Sequence, residues 1–381
     1  LKRDLGGFLK CPDEGDGRST AELARLAAAR ASRPRHVPRV GDGSYQPTIP
    51  QGSPTIDAGE DQNVFGLSSE GTLSASIETN AFSVGATVLW EQESSNGVIT
   101  FEDATALETT FTASEAGEYT LRCTASGPYG TGSDTLTVTV YASPLDTHPD
   151  ELYAWFRAAP EYRTLAGTKV SMLTDLSGHG NSVSQGTVAQ QPTWRESGGM
   201  NNLPYLEHNG GSSLRRLVAA GIDGAPGNTE ACAMFAVGRS RAEQSTSPSE
   251  PLRRSMLMQR RGKFDALESN GSNYSAYMGD GNGRTLSGSN ALKWVVYGCW
   301  QTDATTWHHE LYDEDGAHVS ESQSITFLNA TGMVDIAVGG FSAGASCGVG
   351  DFHEGCKIKG FITAEQAAAD FAFLRAFYGF Q

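Results

Sequence analysis

Between residues 71 and 142 apolar and polar residues alternate in short runs: "GTLSASI", "ATVLWEQ", "GVITFED", "TTFTAS", "GEYTLRCTAS" and "DTLTVTVYA". A period of two, broken every eight to twelve residues by glycine, serine or aspartate, predicts half-buried strands at the spacing of a β-sandwich. The pattern changes at the C-terminus. Thr363 and Gln366 stand in capping-box spacing, and Ala367, Phe371, Leu374 and Phe377 or Tyr378 recur every three or four residues before Gly379. That predicts an amphipathic helix with a left-handed glycine stop, its aromatic stripe packed on a sheet. A second capping box, Ser19 with Glu22, precedes Leu23, Leu26 and Ala27 and predicts a short helix near 20–31.

After that helix "SRPRHVPRVGDGSYQPTIPQGSP" has no periodicity and is rich in proline and arginine. It predicts an extended segment with too little apolar surface to order itself. Residues 1–53 therefore read as a docking arm that needs a surface to lie on, with Leu23, Leu26, Arg30, Arg33, Arg35 and Arg39 as its contact residues. Residues 54–142 read as one β domain, 142–150 ("ASPLDTHPD") as a linker, and 151–381 as a second β domain.

Composition sharpens this picture. The 381 residues are 38% hydrophobic and 19% charged, with 45 glycines, which suits sandwiches with many tight turns. The net charge of −16 is uneven: residues 1–50 carry +3 and the rest −19. An acidic body excludes general nucleic-acid binding, and a basic arm on it points to an acidic neighbour. No apolar run approaches the roughly 20 residues of a membrane helix, and "LKRDLGGFLKCPDEGDG" lacks the apolar core of a signal peptide. Six cysteines are too few for a disulfide framework. Most are expected as small buried hydrophobes, while Cys347 and Cys356, bracketing "GVGDFHEG", could close a loop in an oxidising medium.

The order "DAGEDQNV", a strand with Trp90, "AGEYTLRCTAS" and "DTLTVTV" resembles PKD-type immunoglobulin-like domains. Cys123 has no second-strand partner, so the resemblance implies the fold without its inter-sheet disulfide. The order "ELYAWFRAA", "VSMLTDLSGHGNSVSQGTVAQQPTW", "LPYLEHNGGSSL", "CAMFAVGRS", "KWVVYGCW", "HHELYDEDGAHV", "VDIAVGGF" and the closing helix is similar to concanavalin A-like, laminin-G-like lectin domains. Leu173 stands where that family usually has tryptophan. Together the resemblances imply an all-β chain: an Ig-like sandwich, a concanavalin A-like jelly roll with a short C-terminal helix, and an extended N-terminal arm. Function does not follow from fold, since such sandwiches serve as lectins, glycosidases and structural modules.

Four stretches carry candidate chemistry. Asp175, Ser177, His179 and Asn181 crowd around Gly178 and Gly180, a composition that suits a tight turn whose short side chains bond their own backbone. The other use of Asp175 and Asn181 is as calcium ligands with nearby carbonyls, although calcium takes six to eight oxygens. "GFSAG" around Ser342 matches a nucleophile elbow, yet the glycine-rich sequence after it cannot be the required helix. In "HHELYDEDG" the metalloprotease spacing is absent, and "DEDG" reads as a hairpin turn. Trp307 and Leu311 share one strand parity as core, which leaves His308, Glu310 and Tyr312 on the other as a glycan-binding face. "LRRSMLMQRRGK" places Arg253, Arg254, Arg260 and Arg261 on a strand rim that could meet anionic groups.

No stretch fixes the two carboxyls a glycosidase needs about 5–10 Å apart. The sequence therefore reads as a non-enzymatic protein of a bacteriophage virion: a head decoration, head fibre or tail component. Its arm would dock on capsid or tail proteins, and its sandwich, in multiple copies, would bind host-surface glycans. The alternatives are a secreted bacterial surface adhesin and a polysaccharide-active enzyme. No cofactor beyond the possible calcium is expected.

Overall fold

The computed structural model describes residues 52–80, 82–94, 96–208, 215–220, 222, 231–240, 254–261, 263–269, 274–277, 283–286, 292–324, 334–339 and 350–381. The predicted N-terminal helix and arm, with Leu23, Leu26, Arg30, Arg33, Arg35 and Arg39, lie outside the described residues. The chain divides into two units, Leu1–Pro50 and Gln51–Gln381, and both sandwiches belong to the second.

The alternating runs of the first half fold as all-β. Gln62–Phe65, Gly130–Tyr141, Gly117–Gly127 and Thr87–Gln92 form one sheet, Gly71–Ser74, Glu108–Ala113 and Ile99–Phe101 a second, and Ile56–Asp57 pairs with Ser76–Ile77 in a small third. Gln62–Phe65 runs parallel to Gly130–Tyr141, a pairing that local alternation does not reveal. Trp90, Phe111, Tyr119, Leu121, Cys123 and Val138 fill the space between the sheets. Trp90 donates its indole N–H to the Ala106 carbonyl at 3.0 Å, and the Tyr119 hydroxyl reaches back to the Glu115 carbonyl at 2.7 Å. Gly97, at φ 49°, passes so close that a Cβ there would lie 2.4 Å from that hydroxyl. Cys123 is a buried free thiol whose pKa burial pushes up to about 12.

The segment expected as a linker, 142–150, carries local structure of its own. Ser143 and Asp146 form a capping box, with Pro144 in the first turn of a short helix, Pro144–Thr147. The Asp146 carboxylate also accepts the Leu67 N–H at 3.0 Å, and His148 meets Asp370 of the closing helix at 2.8 Å with both side chains fully buried. Phe65 lies edge-on to Phe373 and Phe377 of the same helix, with centroids 5.9 and 5.1 Å away. The segment works as a packed joint because its polar residues are consumed by caps and cross-contacts.

In the second half, one layer runs Thr193–Arg195, Tyr205–His208, Gly350–Lys359, Cys232–Ser240, Val295–Gln301, Thr306–Asp313, His318–Ser324, with Leu152–Arg157 sharing the Tyr205–His208 edge of Gly350–Lys359. The facing layer contains Val183–Ser184, Leu217–Ala220, Val334–Val338, Arg254–Arg261, Lys263–Ser269, Tyr274–Tyr277 and Gly283–Thr285. Lys169–Leu173 pairs into both, so the hydrogen-bond ladder is continuous. Met234, Ala236, Val295, Tyr297, Trp307, Leu311, Ile336 and Val338 pack between the layers. Leu173 is fully buried there.

The first layer is covered on its outer face as well. Trp155, Phe235, Val237, Trp294, Val296 and Trp300 meet Ala367, Phe371, Leu374 and Tyr378 of the helix Ala364–Tyr378. This double cover explains why "CAMFAVG" and "VVYGCW" are nearly continuous apolar runs rather than alternating ones. A fifteen-residue helix is marginal alone. Burial of each large side chain contributes roughly 1.5–3 kcal/mol, so the sheet stabilises the helix. Its ends match the sequence pattern: Thr363 and Gln366 cap each other and Gly379 closes at φ 73°. Gly298 permits the contact, since a Cβ there would lie 2.5 Å from Phe235 and 2.7 Å from Phe371.

Candidate functional site

The turn that carries Asp175 is closed on itself. Asp175 Oδ1 accepts the backbone N–H groups of Trp155 and Ser177, each at 3.0 Å. Oδ2 accepts the Ser177 hydroxyl and the Asn181 N–H, each at 2.8 Å. The Asn181 amide donates to the Tyr153 carbonyl at 2.7 Å. Gly178 and Gly180 supply the left-handed backbone, at φ 90° and 76°. The carboxylate's four acceptor positions are thus taken up by protein donors. The calcium use of Asp175 and Asn181 would require breaking this set, and among the described residues no group of three or more His, Cys, Asp or Glu is placed to hold a metal.

His308, Glu310 and Tyr312 share one face of Thr306–Asp313, while Trp307, His309, Leu311 and Asp313 are buried on the other. The turn after them is the expected hairpin: Asp313 accepts the N–H groups of Asp315 and Ala317 and pairs with Lys293 at 2.6 Å. His308 stacks on Trp300 at 5.3 Å and hydrogen-bonds with Ser322 and Thr302 at 2.7 and 3.1 Å. The Tyr312 ring lies flat on His318, centroids 4.3 Å apart, with the Arg375 guanidinium 4.1 Å over it. Both the Tyr312 hydroxyl and the His318 Nε2 meet Glu310 at Oε1. The other oxygen, Oε2, takes no hydrogen bond among the described residues. Burial first, and then the Glu310 carboxylate, push the Tyr312 hydroxyl up to about 12, so it stays a donor at neutral pH. The result is a half-exposed rim of rings with one carboxylate oxygen to spare.

Two polar groupings escape the sequence reading. The first is buried. Glu354 receives Arg157 through two bonds of 2.7 and 3.0 Å, the Trp155 indole at 2.5 Å and the Tyr378 hydroxyl at 2.7 Å. It ties the sheet to the closing helix. Beside it His353 is held neutral: its Nδ1–H donates to the Pro204 carbonyl while Nε2 accepts the Met200 N–H, and burial lowers its pKa to about 3. The second is a row across five strands in direct register: Lys169, Thr193, Glu207, Asp351 and Arg239. Residues directly opposite share a sheet face, here the one away from Trp194, Leu206 and Phe352. Arg195 pairs with Glu207, and Arg239 with Asp351 at 2.7 Å. The charges of "GDFHEGCKIK" inside an otherwise apolar pattern were the available signal.

Arg253, Ser342 and Cys347 lie outside the described residues. For Arg254, Arg260 and Arg261 only the strand backbone, Arg254–Arg261, is described, so their anionic-contact role falls outside as well. Cys356 is a buried free thiol facing the closing helix.

Residues 58–140 match a family model described as a PKD domain. No curated protein matches the chain. Among solved structures, the PKD domain of human KIAA0319 is 18% identical, with 26% of this chain and 91% of that chain covered and a TM-score of 0.22. The receptor-binding domain of botulinum neurotoxin type G is 10% identical, with 59% and 51% covered and a TM-score of 0.38. A GH54 α-L-arabinofuranosidase is 13% identical, with 59% of each chain covered and a TM-score of 0.39. The chain thus spans only half to three-fifths of the latter two, and neither likeness bears on function.

Proposed function

We propose that this is a non-enzymatic adhesion protein whose C-terminal sandwich binds surface glycans. The observation that carries the reading is the rim formed by His308, Glu310, Tyr312 and His318, with Trp300 buried beneath His308. Glu310 Oε2 is an acceptor ready for a sugar hydroxyl, and the His318 imidazole beside it, 46% exposed in its side chain, is open to contact with the sugar ring. A shallow site of this kind buries little area and binds weakly per copy. Display of many copies raises avidity by roughly 10²–10⁴ where geometry allows joint engagement. The sequence order of basic arm, PKD-like domain and sandwich supports a place on a bacteriophage virion surface. There residues 1–50 would dock on capsid or tail proteins, and a secreted bacterial adhesin is the alternative setting.

The test is glycan-array binding by the full chain, compared with Glu310→Ala and Tyr312→Ala. Tenfold weaker binding by both variants, at unchanged circular dichroism, supports the reading. Equal binding by all three proteins removes the rim from it, and release of reducing sugar from any bound polysaccharide replaces adhesion with an enzyme.

A further inference from the structure

At the opposite edge of the same sheet lies a cluster that the rim does not use. Lys169, Thr193 and Glu207 face one another across three strands. The Lys169 ammonium and the Arg215 guanidinium both donate to one acceptor, Thr193 Oγ1, at 2.5 and 3.3 Å. The two cations are therefore no more than about 6 Å apart, the two bonds laid end to end. Neither forms an ion pair among the described residues. Arg195 joins them and brings a carboxylate, Glu207, which its own guanidinium engages. Among the described residues, Lys169, Arg195 and Arg215 stand against the Glu207 carboxylate, an excess of positive charge in a chain whose net charge is −16.

The cluster is held in place. Arg215 is fixed through its backbone, because the His208 Nδ1–H donates to its carbonyl at 2.9 Å. That imidazole is seated against Gly339, where a Cβ would come within 2.0 Å of Nδ1. Burial, together with the neighbouring Arg215 and Arg195, disfavours the charged form of Lys169. Lys169 and Arg215 are half-buried, while the Arg195 side chain is 48% exposed and Glu207 lies beneath at 3%. An ammonium has three donors and a guanidinium five, and Thr193 occupies one of each. Like charges set this close, with donors to spare, fit an anionic group that bridges them.

We propose that Lys169, Arg195 and Arg215 form a subsite for a carboxylate- or sulfate-bearing saccharide unit. The inference rests on the glycan-binding reading and names the substrate class. A single local anion suits the cluster better than a long polyanion. Screening confines its field to about 8 Å at physiological salt, and the rest of the chain is acidic. Five strand spacings separate it from the rim, roughly 24 Å, so the two can be tested apart.

The probes are oligogalacturonate, sialyl-lactose and a sulfated galactan oligomer, each measured against its carboxyl-reduced, desialylated or desulfated counterpart on the full chain. At least one acidic probe should bind tenfold or more tightly than its counterpart, and that ratio should shrink as NaCl rises from about 50 to about 300 mM. Lys169→Met and Arg215→Met should each abolish the ratio, and Lys169→Arg should keep it. Tyr312→Ala should weaken acidic and neutral probes alike. Equal binding within every pair overturns the subsite while the glycan reading stands, whereas no binding of any probe overturns both. A ratio that survives Lys169→Met and Arg215→Met assigns the anion elsewhere. Inorganic sulfate, or a DNA oligomer, bound as tightly as the best acidic saccharide overturns the saccharide assignment. The salt and sulfate measurements use the unmodified protein, so they decide the matter even where a variant fails to fold.

Discussion

The turn around Asp175 and the rim around Glu310 hold the same chemical groups: a carboxylate, an imidazole and a hydroxyl within a few residues. Their hydrogen-bond accounts are opposite. Asp175 is buried at 8% exposure and receives four donors, three from its own turn and one from Trp155. Glu310 is 19% exposed in its side chain and receives both its partners at one oxygen. A buried carboxylate must be fully satisfied, because an unpaired charge away from water is costly. One at a rim can leave an oxygen for a ligand. Composition does not separate these two carboxylates, but counting donors against acceptors does.

The comparison breaks most readily at Asp175. Asp175→Ala strands three backbone N–H groups and a hydroxyl in a buried turn. Each costs of the order of 1–3 kcal/mol if unreplaced. With partial relaxation, urea unfolding should show a loss of about 3 kcal/mol, while glycan binding by the folded fraction persists. A loss below about 0.5 kcal/mol would mean that the turn is held by other contacts. A calcium-dependent rise in melting temperature that the variant lacks would return Asp175 and Asn181 to the role of ligands.

The next effect concerns the buried imidazoles, which sharpen the same contrast of satisfied against available groups. His353 and His208 have pKa values lowered to about 3 and about 4, chiefly by burial. In the unfolded chain they titrate near about 6.5. Both states are neutral above about pH 6.5, so the stabilising effect of keeping them neutral inside is complete there. As pH falls the unfolded state takes up protons that the folded state refuses, and stability declines until the folded pKa is reached. By about pH 5 each imidazole should cost about 2 kcal/mol. Between about pH 7 and pH 5, His353→Gln should flatten the stability slope by nearly half. An unchanged slope would place the titration elsewhere.

Most of the fold was legible because its signals are local. Period-two runs marked the first sandwich, and Thr363, Gln366 and Gly379 marked both ends of the closing helix. Residues 142–150 read as a linker because proline, aspartate and histidine look solvated until their partners are known; Asp146 finds Leu67 and His148 finds Asp370. Glu354 was missed for the same reason, since Arg157 is 197 positions away. The row of Lys169, Thr193, Glu207, Asp351 and Arg239 depends on the register of five strands, which no single stretch contains. The rim was legible because His308, Glu310 and Tyr312 lie on one strand and parity alone puts them together.

The smallest expected effect on stability is at that rim. Tyr312→Phe keeps the ring, and so keeps its stacking on His318, its contact with Phe371 and the Arg375 guanidinium above it. The hydroxyl bond to Glu310 is lost, together with the hydroxyl's weaker interaction with Arg375. A hydrogen bond that water can replace contributes about 0.5–1.5 kcal/mol, and partial exposure favours the lower end. Thermal unfolding of Tyr312→Phe should therefore differ from the parent by less than about 1 kcal/mol. Binding should change by a larger factor than stability, because Glu310 loses the donor that fixes its orientation. A destabilisation above about 2 kcal/mol, comparable to that at Asp175, would mean that the rim bonds hold the fold as the turn bonds do. The distinction between the two carboxylates would then fail at the point where function was drawn from it.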